Sequence, residues 1–221
     1  MDAPFTNDCN QRIKESYCLR RLCLHWLAEV GKVDILKAEV GFKIYLSMNP
    51  YLAVVGCGQW GKNLVRTLYH LGALRALCDT LPEEELSDLY GVPFLSFEEI
   101  LSNADIQGIV LAVPAPLHTS LGLCALKAGK HVLIEKPMAL SSTDVQSLID
   151  EAQHQKRVLM GGHLLRYHPA FLILQDWVSK GKLGRLLFID AYRQTFGRVC
   201  FSEKKDCLSR ILALLVLGFI D

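Results

Sequence analysis

Excess charge of either sign is missing from this chain: its 221 residues carry 24 Lys and Arg against 23 Asp and Glu, a net charge of +1. Such a chain has no overall field to draw it onto nucleic acid, and its basic residues do not cluster with aromatics. Long apolar runs are also missing. The longest, "ILALLVLGFI" at 211–220, is half the roughly 20 residues a bilayer span needs. The start, "MDAPFTNDCNQRIKESYCLRRL", lacks the basic-then-apolar order of a secretory leader. Eight cysteines are present but without paired spacing or an export signal, so reduced thiols in the cytoplasm are expected. Cys18, Cys23 and His25 in "CLRRLCLHW" lack the CxxC geometry of a zinc site and read as part of an amphipathic helix; no metal is expected. What remains is a globular chain, half apolar and one-fifth charged.

Residues 1–50 carry no motif and form an N-terminal extension. From residue 51 strand and helix patterns alternate. Short apolar runs stand at 51–55, 73–79, 106–114, 131–137 and 157–162, and amphipathic stretches separate them. Leu64, Leu68 and Leu71 share one helical face that ends at Gly72, and "SSTDVQSLIDEAQHQK" opens on capping residues. Wholly apolar strands between amphipathic helices predict a parallel sheet covered on both faces, a doubly wound α/β domain.

The first strand runs into Gly56-Cys57-Gly58-Gln59-Trp60-Gly61. In a strand–turn–helix setting these glycines have separate tasks. Gly56 permits the tight turn, Gly58 lets a pyrophosphate approach, and Gly61 lets the helix pack on the strand. The helix start offers free N–H groups and a positive dipole end to phosphate. The second strand ends in Asp79, about 20 residues on, where a carboxylate accepts from ribose hydroxyls. An acid there repels a 2′-phosphate, so NAD is expected over NADP. The alternative is a glycine turn and a solvated acid without cofactor.

Two later strand ends repeat this logic. "LAVPAPLHTS" places Pro114 and His118 at the carboxyl edge of the third strand, and "LIEKP" places Glu135 and Lys136 at that of the fourth. Ligands of open α/β sheets bind along this edge. A lysine held beside an acid and between apolar residues is expected to be partly desolvated, which lowers its pKa toward a useful range.

Together "VVGCGQWGKN", "CD" at 78–79, "AVPAPLHTSLGLCALKAGKHVLIEKPMAL" and "GGHLLRYHPAF" resemble the Gfo/Idh/MocA family of nicotinamide-dependent sugar oxidoreductases, over about residues 51–198. The resemblance implies an NAD-binding Rossmann domain over 51–165 and, over 166–221, the incomplete start of an open-sheet substrate domain. It makes Lys136 the catalytic residue at the reacting hydroxyl. It places Gly56, Gly58, Gln59, Trp60, Gly61, Asp79, Pro114, His118, Glu135 and Lys136 around the cofactor. His163, Arg166 and Tyr167 then border the substrate with Lys136, while His163 and His168 also read as buried or capping imidazoles. The implied substrate is a sugar or a nucleotide-linked sugar, the wording being most like UDP-N-acetylglucosamine 3-dehydrogenases. Family members are often oligomers, so a homo-oligomer fits the resemblance.

By the same resemblance, "AFLILQDWVSKGKLGRLLFIDAYRQTFGR" is a crossing helix, a turn and a first strand of the substrate domain. The tail "VCFSEKKDCLSRILALLVLGFID" then departs from the family, whose second catalytic Asp or His is expected here in a "GGGxLxDxGxHxxD" or "W..aPHD" context. The expectation is an altered reading frame near residue 200 or a truncated gene model, with an open sheet edge that favours association. Two functions therefore stand: an NAD-dependent sugar oxidoreductase, or a catalytically incompetent nucleotide-binding remnant of one. A nucleic-acid-binding regulator lacks the basic segment it needs.

Overall fold

Five strands form one parallel sheet in the order β2-β1-β3-β4-β5: β1 (Tyr51–Val55), β2 (Leu74–Cys78), β3 (Ile106–Leu111), β4 (His131–Ile134) and β5 (Leu159–Gly161). The structure is a computed structural model that describes residues 6–31, 51–82, 84–190 and 216–217, with side chains of the first helix from residue 17 to 30. Between the strands lie α2 (Gly61–His70), α3 (Glu84–Tyr90), α4 (Phe97–Ser102), α5 (His118–Lys127) and α6 (Ser142–Gln155); α1 (Thr6–Gly31) precedes them. The doubly wound sheet predicted for residues 51–162 is what the chain forms.

The strands alternate side chains between two cores, which is why they read as unbroken apolar runs. Leu52, Val54, Val110 and Leu133 face one core with Leu64, Val65 and Leu68 of α2. Ala53, Val55, Ile109, Leu111, Val132 and Ile134 face the other, with Ile100 of α4, Leu126 of α5 and Leu148 of α6. Helix α1 belongs to the first core. Its Leu19, Leu22, Cys23, Trp26 and Leu27 are buried there. Gly108 in β3 makes the room: a Cβ on it would stand 3.0 Å from both Trp26 and Leu52. Residues 1–168 form one compact unit, so the described part of the extension shares the core of the sheet.

The second unit, residues 169–221, contains α7 (Pro169–Ser179) and an antiparallel pair of short strands, β6 (Ile189–Asp190) and β7 (Val216–Leu217). The rest of the predicted substrate-domain strand and most of the tail lie outside the described residues.

Local signals set the helix ends. Ser96 and Glu99 form a reciprocal capping box on α4, and Ser141 accepts from the Asp144 backbone N–H at the start of α6. At the opposite edge of the sheet, His131 accepts from the Val158 N–H through Nδ1 (3.0 Å). Burial, and then the charge of Arg157, push its pKa down from 6.5 to about 4. The unfolded chain therefore binds a proton below pH 6.5 that the folded chain refuses until about pH 4. Stability should fall by about 1–2 kcal/mol between pH 7 and 4.5, after allowance for solvent screening at this half-buried site. Urea unfolding midpoints across that range should show this slope, and His131→Asn should flatten it.

Candidate functional site

The sheet order reverses between β1 and β3, and there the two diverging connections leave a crevice at the carboxyl ends of the strands. Backbone bonds continue past each strand end and define its floor: Gly56 N–H to Cys78 O (2.8 Å), Ala112 N–H to Val55 O (2.8 Å), Glu135 N–H to Leu111 O (2.9 Å) and Gly162 N–H to Ile134 O (2.7 Å).

The three glycines of the first turn differ in what demands them. Gly56 has φ +93°, and a Cβ on it would meet the Ala112 carbonyl carbon and oxygen at 2.6 Å. A Cβ on Gly61 would overlap the Gly56 carbonyl oxygen. At Gly58 a Cβ would meet no protein atom within 4 Å. The fold requires glycine at 56 and 61, and leaves position 58 open for something outside the chain. Trp60 precedes α2 without a side-chain cap, and the first turn of α2 has no acidic residue. That end is electropositive and fits a phosphate. Gln59 is exposed beside it, and Trp60 packs partly against the first core.

Asp79 follows β2 on the outer side of the crevice. Its Oδ2 accepts from the Cys57 N–H at 2.6 Å, and its Oδ1 from the Leu81 N–H and the Thr80 hydroxyl at 3.3 Å each. Burial works to raise its pKa, but the backbone donors of Cys57 and Leu81 and the Thr80 hydroxyl overcome this and hold it below the usual carboxylate value. An ionised acceptor tied to the glycine turn suits ribose hydroxyls and opposes a further phosphate.

On the other side lie the ends of β3 and β4. Pro114 is exposed at the rim. Glu135 is buried, its Oε2 accepts from the Lys136 N–H at 3.1 Å, and its Oε1 has no protein partner among the described residues. A Cβ on Gly162 would press on the Glu135 carboxyl at 2.9–3.0 Å, so that glycine gives the acid its space. A buried, unpartnered acceptor at the mouth of an open turn fits a donor supplied by a bound cofactor. Lys136 precedes a cis peptide to Pro137 and is exposed, so the desolvation read from its apolar neighbours is not provided by the protein. The strand ends before Lys136, which carries it out of the sheet's cover.

His118 is not on the open edge as its position in sequence implies. It is 1% exposed, and its ring nitrogens face the backbone carbonyls of Pro137 and Val113 rather than the open edge. Its partners belong to loops far apart in sequence, a link that no local pattern announces. His163 and Arg166 are exposed and Tyr167 half-buried around the 3-10 turn 164–167; Tyr167 stacks at a tilt on His25 of α1, centroids 5.8 Å apart. Among the described residues no cluster of His, Cys, Asp or Glu is arranged to hold a metal, and no helix is long and apolar enough to cross a membrane.

These features agree with comparisons to known proteins. Residues 51–163 match the family model described as oxidoreductase family, NAD-binding Rossmann fold. The 1,5-anhydro-D-fructose reductase of Ensifer adhaerens is 33% identical over 95 residues, 43% of this chain and 28% of that protein. Inositol 2-dehydrogenase of Salmonella typhimurium is 24% identical over 145 residues, 62% of this chain and 43% of that one. Among solved structures, the WlbA dehydrogenase of Bordetella pertussis, in complex with NADH and UDP-GlcNAcA, aligns with a TM-score of 0.62 at 25% identity, covering 68% of this chain and 48% of that one. The chain spans less than half the length of these relatives. With the glycine turn, the acid after β2 and the EKP strand end all in place, the chain belongs to the Gfo/Idh/MocA oxidoreductase family, whose NAD-binding Rossmann fold it carries over residues 51–163.

Proposed function

We propose that this chain binds NAD across the β1/β3 crevice and serves an oxidoreductase acting on the hydroxyl or ketone of a sugar or nucleotide-linked sugar. The observation that carries this reading is the division of labour along the sheet edge. An ionised Asp79 after β2 and an uncapped helix after β1 stand on one side, and Glu135 and Lys136 follow β4, three and two strands away respectively.

NAD, when bound, supplies the hydride acceptor or donor. The chain's own residues do the rest. Asp79 takes the ribose hydroxyls, the α2 N-terminus faces the pyrophosphate, and Glu135 offers its free oxygen to a donor at the far end. Lys136 extends toward the substrate hydroxyl, holds it by hydrogen bond and carries its proton as the C–H bond gives up its hydride. Arg166, Tyr167 and His163 border the sugar. Among the described residues Cys18, Cys23, Cys57, Cys78 and Cys124 form no disulfide, which supports a cytoplasmic setting. An inositol dehydrogenase and an anhydrofructose reductase among the relatives, and the UDP-sugar bound in the WlbA structure, support polyol or sugar chemistry here.

Fluorescence titration of the full 221-residue chain with NADH tests the reading. Saturable binding is expected, weakened about tenfold or more in Asp79→Ala, with NADPH binding more weakly than NADH to the unmodified chain. A folded chain that binds neither nucleotide would overturn it.

A further inference from the structure

We propose that His118 is a positioning residue for the nicotinamide end of the site, strapping the loop after β3 to the loop after β4 and so fixing where Lys136 stands. The proposal rests on the cofactor reading above. His118 Nε2 lies 2.8 Å from the Val113 carbonyl oxygen, and Nδ1 lies 2.7 Å from the Pro137 carbonyl oxygen. Val113 is two residues past β3, and Pro137 follows Lys136 directly.

The strap is continuous with the glycine turn. A Cβ on Gly56 would lie 2.9 Å from the Val113 nitrogen, so the backbone held by His118 is also the wall against which Gly56 turns. One chain of contacts thus runs from Gly56 through Val113, His118 and Pro137 to Lys136. Asp79 and the α2 N-terminus sit at its other end, on the side of the adenosine and pyrophosphate. A dinucleotide laid across the crevice therefore meets the strapped loops with its nicotinamide half.

The chemistry of the strap is specific. Both partners are carbonyl oxygens and accept only, so the single N–H of a neutral ring bonds one loop while the rest of the buried ring packs against the other. An asparagine fills only part of that space. His118 touches neither cofactor nor substrate with a polar atom, and its effect on them passes through the backbone of Val113 and of Lys136–Pro137.

The test compares two ligands that share one end. ADP-ribose carries the adenosine and pyrophosphate of NADH but no nicotinamide. Calorimetric titration of the full-length chain and of His118→Asn with each should show ADP-ribose affinity held within about twofold and NADH affinity lowered about tenfold, the loss of one well-made hydrogen bond's worth of positioning. Equal weakening of both ligands, or no change in either, would overturn the proposal, because a residue that only supports the fold has no reason to spare one end. A second measurement needs no variant. In ¹⁵N-resolved NMR of the unmodified chain, a His118 ring N–H should be protected from solvent exchange. A ring whose N–H exchanges freely with solvent would refute the strap even if His118→Asn failed to fold. If the unmodified chain bound neither ligand, the cofactor reading would fail and the positioning role would fall with it, while the ring spectrum would still report on the strap.

Discussion

Replacing Gly61 with alanine is expected to abolish NADH binding and to lower stability by about 3 kcal/mol or more, within the range of severe single-site effects. The added Cβ would overlap the carbonyl oxygen of Gly56. Relief requires moving α2 away from β1, and Leu64, Val65 and Leu68 leave their places in the core with it. Gly58→Ala is the informative contrast. No protein atom lies within 4 Å of the new methyl group, and Gly58 is not among the positive-φ glycines. The substitution should leave the urea midpoint unchanged or slightly raised, because alanine has less freedom to lose on folding. It should still weaken NADH about tenfold or more, because the methyl group stands where the phosphates approach. Urea unfolding and NADH titration on the same two variants separate the tasks. Full NADH affinity in Gly58→Ala would mean that the segment is only a turn.

How far the sequence could be read follows from the same contrast. Strands β1, β3 and β4 were legible because both faces are covered, so Leu52 to Val55 or Ile109 to Leu111 have no polar alternation to confuse with a surface strand. Gly56, Gly61 and Asp79 were legible because their spacing is set by a local strand–turn–helix unit. The capping box at Ser96 and Glu99 was equally open to reading, since the S-x-x-E signal is local, but it bears on no site.

Contacts between distant segments were not legible. Helix α1 showed its helical spacing, yet nothing in residues 17–30 says that Trp26 seats over Gly108, more than eighty positions away. The glycine inside "IQGIVL" was a hint of close approach without a named partner. His118 illustrates the same limit at the site. Its position after a strand marks it as a rim residue, but the burial that withdraws it depends on where the fourth strand's loop places the Pro137 carbonyl. Gly162 reads as part of a motif, and only the fold shows that it clears space for Glu135.

Lys136→Met is expected to lower turnover with a sugar substrate by about 10²- to 10⁴-fold, the usual size of a lost acid–base contribution. NADH affinity should stay within about threefold. The side chain is exposed at the carboxyl end of β4, while the polar contacts made by this residue within the protein come from its backbone N–H to Glu135. Methionine keeps much of the length and removes the amine, so the loop should hold its course and the proton carrier alone should go. A decline in kcat with unchanged binding marks an interaction made in the transition state rather than in the ground state. The assay follows NADH absorbance with the full-length chain at saturating NAD over polyols and nucleotide-linked sugars. A variant that turns over like the unmodified chain would remove Lys136 from the chemistry. Tight NADH binding without turnover in the unmodified chain would instead identify a nucleotide-binding remnant, in which the EKP strand end persists because Glu135 and the strapped Pro137 loop still shape the cofactor crevice.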